Sequence, residues 1–240
     1  MKMRTTVKKY YDDLYINHCD AVIVKIYDDA VELDQTVAFP EGGGQEGDCG
    51  VIESVHDANV CVSFYDTQLS MAFPFFSAGA DCKTGGVILH KSHDDLSKFK
   101  IGDQVIVKID EKRRSDLTKS HSATHLMHCG IKMVRPDVIK NVIGCHIKCD
   151  SGRLDFSTEK RFTNEDISEI EKIANEMIEN NYEVLMSCHP DAYDVRYWQC
   201  REFSMPCGGT HVKRTGEIPP IKIFRKNIGK NKERIYFSYD

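Results

Sequence analysis

Residues 111–134, Glu111-Lys-Arg-Arg-Ser-Asp-Leu-Thr-Lys-Ser-His121-Ser-Ala-Thr-His125-Leu-Met-His-Cys-Gly-Ile-Lys-Met-Val134, mark a change in the pattern of the chain. The stretch holds no proline, its one glycine is Gly130, and it stops before Pro136, so it reads as one long helix. On a helix, positions i and i+4 share a face, so His121 and His125 aim their imidazoles at one point. Further on, Cys207-Gly-Gly-Thr-His211 repeats the arithmetic of ligand, three spacers, ligand. Its paired glycines suit a tight turn that brings a thiolate and an imidazole together. Three imidazoles and a thiolate make a nitrogen- and sulfur-rich set that suits zinc best. The expectation is one zinc per chain, held by His121, His125, Cys207 and His211. His128 lies one turn beyond His125 but outside the paired motif, and ranks below these four.

Before residue 110 the chain reads as strands and turns. Ala21 to Ile26, Ala30 to Leu33, Gly50 to Val55, Val87 to His90 and Gln104 to Ile109 are short apolar or alternating runs bounded by turn residues. Strands without intervening helical patterns suggest a small β-barrel. Gly42, Gly44 and Gly47 satisfy a dinucleotide fingerprint on spacing alone, but Asp48-Cys-Gly-Val-Ile52 resumes a strand where that fingerprint needs a helix. After the central helix, Val142 to Cys149 and Arg153 to Ser157 read as a hairpin. Thr163-Asn-Glu-Asp166 is a capping box opening a second helix. Strands follow at Tyr182 to Met186, Val195 to Gln199, Ile221 to Phe224 and Arg234 to Phe237. The expected class is α+β: an N-terminal small β-barrel with a glycine-rich loop (residues 1–110), then an α+β zinc-binding domain (residues 111–240).

The chain has 240 residues, 41% hydrophobic and 29% charged, the composition of an ordinary globular protein. The basic start, from Met1 to Tyr10, has no apolar core after it, and no apolar run is long enough to cross a bilayer. Ten cysteines without a secretion signal point to free thiols and the cytoplasm. Those outside the metal motif read as small buried hydrophobes. A net charge of −5 excludes a generally basic nucleic-acid binder. From Cys207 to Asp240, however, eight Lys or Arg face only Glu217, Glu233 and Asp240. Lys112, Arg113, Arg114 and Lys119 add a second basic group before His121. Such a rim suits a phosphate-bearing substrate that touches one face.

His121-Ser-Ala-Thr-His125 and Cys207-Gly-Gly-Thr-His211 occur here with Phe39-Pro-Glu-Gly-Gly-Gly-Gln45, the segment Asp110 to Arg114, Val195-Arg196 and Thr215-Gly-Glu-Ile218. This ordered set resembles the editing domain of alanyl-tRNA synthetase and, more closely, the free-standing AlaX alanyl-tRNA editing proteins. The resemblance covers nearly the whole chain. It implies an editing domain in the second half and a zinc-dependent aminoacyl-tRNA deacylase that edits in trans. The expected substrate is Ser-tRNA(Ala), with Gly-tRNA(Ala) as second candidate, and no membrane or DNA partner is expected. The glycine-rich segment would lie beside the editing pocket, which makes Gln45, with Thr124, a candidate for contact with substrate or water.

Ser122 and Ala123 stand where a His-Glu-x-x-His metalloprotease places its carboxylate base, which argues against peptide hydrolysis. Four protein ligands normally close a zinc site, so the metal either yields one position to water or substrate, or mainly holds substrate and shapes the pocket. In one departure from the family pattern, Pro219-Pro220 follow Ile218 where glycine is usual. Two other classes remain open at this point: a zinc-stabilised tRNA-binding module without hydrolysis, and a different zinc-dependent ester hydrolase.

Overall fold

The computed structural model describes residues 4–57, 59–76 and 82–239; Met1 to Met3 and Asp240, used above, lie outside them. Helix α1 runs Glu111–Val134. Its start is fixed by Asp110, whose carboxylate accepts the Arg113 N–H at 2.9 Å and so satisfies a donor with no partner inside the helix. Pro136, just past the end, cannot continue the turn. Gly130 sits where α1 crosses α2 (Asn164–Glu179); a Cβ there would come within 2.9 Å of the Ile170 carbonyl oxygen. Thr163 and Asp166 open α2 with both reciprocal bonds of a capping box, at 3.1 and 2.9 Å.

The two helices pack on a four-stranded antiparallel sheet ordered Val142–Lys148, Ser151–Ser157, Lys232–Tyr239 and Ile221–Gly229. Strand residues of one pleat face, including Phe156, Ile223, Ile235 and Phe237, join Leu126, Ile131 and Ile170 in one buried cluster. A three-stranded sheet follows, from Leu185–His189, Ala192–Cys200 and Phe203–Pro206.

The N-terminal part is a seven-stranded antiparallel sheet. Its order is Cys61–Phe64, Gly50–Ser54, Gln104–Ile109, His18–Ile26, Ala30–Leu33, Val87–Lys91 and Asp66–Ser70. A second apolar cluster, with Ile23, Val31, Ile52, Phe64 and Val107, lies inside it. The class is α+β with mostly strands, and the expected small β-barrel is corrected to an open sheet. The two edge strands are consecutive in the chain, with only Tyr65 between them. One pairs with Gly50–Ser54 and the other with Val87–Lys91. No ladder joins Cys61–Phe64 to Asp66–Ser70 among the described residues.

Arg114 reaches back from α1 to Asp48 near the glycine-rich loop. Its Nε donates to Oδ1 and Oδ2 at 3.2 and 3.0 Å, and its Nη2 donates to Oδ2 and, at 2.7 Å, to the Val37 carbonyl. Asp48 also accepts the Phe39 N–H at 2.7 Å. The two side chains are 5% and 1% exposed. The cysteines depart from expectation: only Cys129 and Cys200 are buried, Cys188 is exposed, and the other seven are half-buried.

His90 is fully buried in the N-terminal sheet. The Val31 carbonyl, 3.2 Å from Nδ1, can only accept, so Nδ1 carries the proton and Nε2 accepts from the Thr36 hydroxyl at 2.8 Å. Burial pulls this imidazole down to about 4, because a charged ring there would lose its water. The unfolded chain, with an ordinary histidine near 6.5, therefore takes up the proton first. The contribution of His90 to stability is full above about pH 6.5 and falls by roughly 2–3 kcal/mol as pH drops toward 4. Urea unfolding at pH 7 and 4.5 should show this loss, and His90→Gln should flatten that part of the slope.

Candidate metal centre

Helix α1 delivers His121 and His125 on one face, and the turn after Phe203–Pro206 delivers Cys207 and His211. The ligand-capable atoms of all four lie within 4.8 Å of one another. The Cys207 Sγ is 3.4 Å from His121 Nε2 and 3.2 Å from His211 Nε2. The turn is held by the Cys207 N–H donating to the Arg196 carbonyl at 2.9 Å. Gly209 must be glycine, since a methyl group there would run into the His121 ring and the Gln45 side-chain carbonyl.

Hydrogen bonds behind the rings set their tautomers. Gln45 Oε1 can only accept, and it lies 2.7 Å from His121 Nδ1, so that nitrogen carries the proton. The Ser122 hydroxyl donates to the Thr118 carbonyl at 2.9 Å and therefore accepts from His211 Nδ1 at 3.2 Å and from the Val212 N–H at 3.0 Å. In both histidines Nε2 is left with its lone pair toward Cys207. Outer partners of this kind tune metal affinity. Ser122→Ala and Gln45→Ala should each weaken metal binding by about 10–100-fold, read by competition with a chromogenic chelator.

Burial dominates the electrostatics. It pulls His121 down to about 3, and it holds His125 and His211 well below the usual imidazole range, with neighbouring imidazoles adding to the effect. It pushes the Cys207 thiol up to about 12. The imidazoles are thus neutral and ready to ligate, whereas the thiol gives up its proton only to a cation. The buried Nδ1 of His125 has no hydrogen-bond partner among the described residues. A soft donor set, two rings locked in the ligating tautomer and an orphaned ring nitrogen all fit a bound metal ion.

A cavity of about 830 Å³ opens beside this cluster, between the glycine-rich loop at Glu41 to Gly43 and the metal-site turn at Cys207 to Gly209. Thr124 lines it. Its hydroxyl donates to the Ser120 carbonyl at 2.8 Å, so toward a ligand it can only accept. Gln45 is fully buried, and its amide is spent inside the protein: Oε1 also accepts the Thr210 N–H at 3.1 Å, and Nε2 donates to Thr210 Oγ1 at 3.0 Å. Its place is behind His121, supporting a candidate ligand. His128 lines the cavity but stands outside the group of four.

The basic rim is thinner than its sequence count. Arg225 pairs with buried Glu233 at 2.9 Å, Arg234 with Asp155 at 2.7 Å, and Arg113 with Glu46 at 3.0 Å, while Arg114 is buried against Asp48. Ser122, Thr210 and Trp198 carry no spacing signal. Trp198 packs edge-on against the His125 ring with centroids 4.7 Å apart. The hydroxyls could have been suspected only from their places inside the two motifs.

Residues 195–236 match the family described as the threonyl and alanyl tRNA synthetase second additional domain. The alanyl-tRNA editing protein AlaX-M of Pyrococcus horikoshii is 32% identical over 232 residues, which cover 96% of this chain and 96% of that protein. The alanine–tRNA ligases of Thermococcus kodakarensis and Pyrococcus furiosus are 34% and 33% identical over 250 and 254 residues. The chain spans 25% of the length of each of these ligases.

Proposed function

The chain belongs to the alanyl-tRNA editing proteins, and from that premise we propose that it deacylates mischarged Ser-tRNA(Ala) in trans, with Gly-tRNA(Ala) as second candidate. The observation that carries this reading is the meeting of His121, His125, Cys207 and His211 beside an open cavity. It stands in a chain that matches an editing protein from end to end. In this reading the four residues hold one zinc. The chain divides near residue 110: the first part supplies one cavity wall and the second the metal site. Its workplace is the cytoplasm. No helix among the described residues is long and apolar enough to cross a membrane.

The bond to be broken is an activated ester, which needs less assistance than an amide. When bound, zinc supplies Lewis-acid polarisation beside that ester. The protein's own residues do the selecting. Thr124 Oγ1 offers a lone pair and no proton, so it favours an acyl group that donates a hydrogen bond, as the serine side chain does. Alanine differs by that one hydroxyl and leaves the acceptor unmatched. Glycine lacks it too and should react more slowly than serine. Sites that bond a substrate hydroxyl reject the analogue lacking it by on the order of 10⁴-fold.

Rates of release from Ser-tRNA(Ala) and Ala-tRNA(Ala), measured side by side, test this. The wild type should strongly prefer the serine ester, and Thr124→Val should lose most of that preference. Equal wild-type rates would remove the proofreading role, and tRNA binding without release would mark a binding module. An unchanged preference in Thr124→Val would assign the discrimination to another residue.

A further inference from the structure

Arg196 lies on the strand Ala192–Cys200, two residues from Trp198, which packs on His125. Residues two apart on a strand share a face, so Arg196 and Trp198 point the same way, with α-carbons about 7 Å apart. Arg196 lines the main cavity and also the smaller one beside Tyr11 to Leu14. Its guanidinium carbon lies over the faces of two tyrosines, 4.9 Å from the Tyr11 ring centroid and 5.1 Å from that of Tyr193. Both rings are held from outside: Tyr193 donates to Asp12 at 2.6 Å, and Tyr11 packs edge-on against Tyr10. Cation–π contact with both rings holds the charged group in place without spending its N–H donors.

Those donors meet no side-chain acceptor among the described residues. Arg196 makes no ion pair or side-chain hydrogen bond among the described residues, and its Nε is buried without a partner. The contrast with its neighbour is direct. Lys8, also in the cavity wall, is neutralised by Asp194 at 2.6 Å. Lys83 belongs to the outer hairpin and is exposed. An immobilised, unpaired guanidinium beside an ester-cleaving site suits a planar, bidentate oxyanion.

We propose that Arg196 is a substrate-binding residue that holds the phosphodiester immediately 5′ of the nucleoside carrying the acyl ester, and so sets how far that nucleoside enters the cavity. This rests on the deacylase reading above and adds the contact that distinguishes a nucleotide ester from a nucleoside ester.

The test uses two small substrates with the full-length, metal-loaded protein: 3′-O-seryl-adenosine, which has no phosphate, and the seryl ester of the dinucleotide CpA, which has one. The wild type should favour the dinucleotide in kcat/KM by about 10–100-fold, mostly through KM, the range expected of a charge-assisted contact. In Arg196→Gln the ratio of the two kcat/KM values should collapse toward one. Arg196→Lys should keep part of the preference, since it retains the charge but loses the fork. Metal content and thermal midpoint, measured alongside, identify a variant whose fold is damaged. A wild-type preference that persists in Arg196→Gln overturns the proposal, and so does the absence of any wild-type preference. A wild type that cleaves neither ester takes the deacylase reading down with it.

Discussion

The double substitution His121→Ala, Cys207→Ala is expected to yield protein that retains its secondary structure but carries no metal. It should also have lost ester hydrolysis by more than about 100-fold. The magnitude follows from position: even partners behind the ligands are worth about 10–100-fold in affinity or activity, and these two residues offer the ligand atoms themselves. His121 and Cys207 come from opposite halves of the cluster, with Sγ and Nε2 3.4 Å apart. Their joint removal leaves one imidazole on each side. Elemental analysis of the purified variant, with circular dichroism as the control for folding, decides the matter. Full metal retention would mean that the four residues do not form the site.

The second large effect concerns stability. Asp48→Ala should lower the unfolding free energy by roughly 3–5 kcal/mol, because it strands a buried guanidinium without its anion. Arg114 would keep only the Val37 carbonyl at 2.7 Å, and the Phe39 N–H would lose its acceptor. In a chain of this length the thermal midpoint should drop by on the order of 10 °C. Replacing both partners with apolar residues, as in Asp48→Leu with Arg114→Met, should cost less than the single change, since no buried charge then remains. Calorimetry on the three variants tests the ordering. A single variant as stable as the wild type would show that water reaches the guanidinium.

The two candidate ligand pairs, which meet in the structure, and the two helices were legible because each rests on local spacing. A helix face repeats every three to four residues, and Asp110, Pro136 and the Thr163–Asp166 box punctuate it within one turn. The failure of the barrel to close was not legible. It depends on Cys61–Phe64 and Asp66–Ser70, a run with no glycine or proline to mark the bend at Tyr65, and the reading above assigned no strand there. Nor could spacing show the work of Gln45, whose partner Thr210 lies 165 residues away. The burial of Arg114 was hidden for a similar reason: a charged side chain in a basic run reads as solvated until its carboxylate is found 66 residues upstream.

The two halves of the metal cluster also differ in when they can form. His121 and His125 need only a helix, and helices form in about a microsecond or less. The contact between His121 and Cys207 closes a loop of 86 residues, and it waits on the strands in between. During refolding without metal, the helical signal should therefore recover before the protein gains tight affinity for a cation. Metal uptake, followed by stopped flow, becomes a clock for the last long-range closure. An ion bound too early would hold the two histidines in a partial site, which makes a chelator in the refolding buffer a way to raise the yield of native protein.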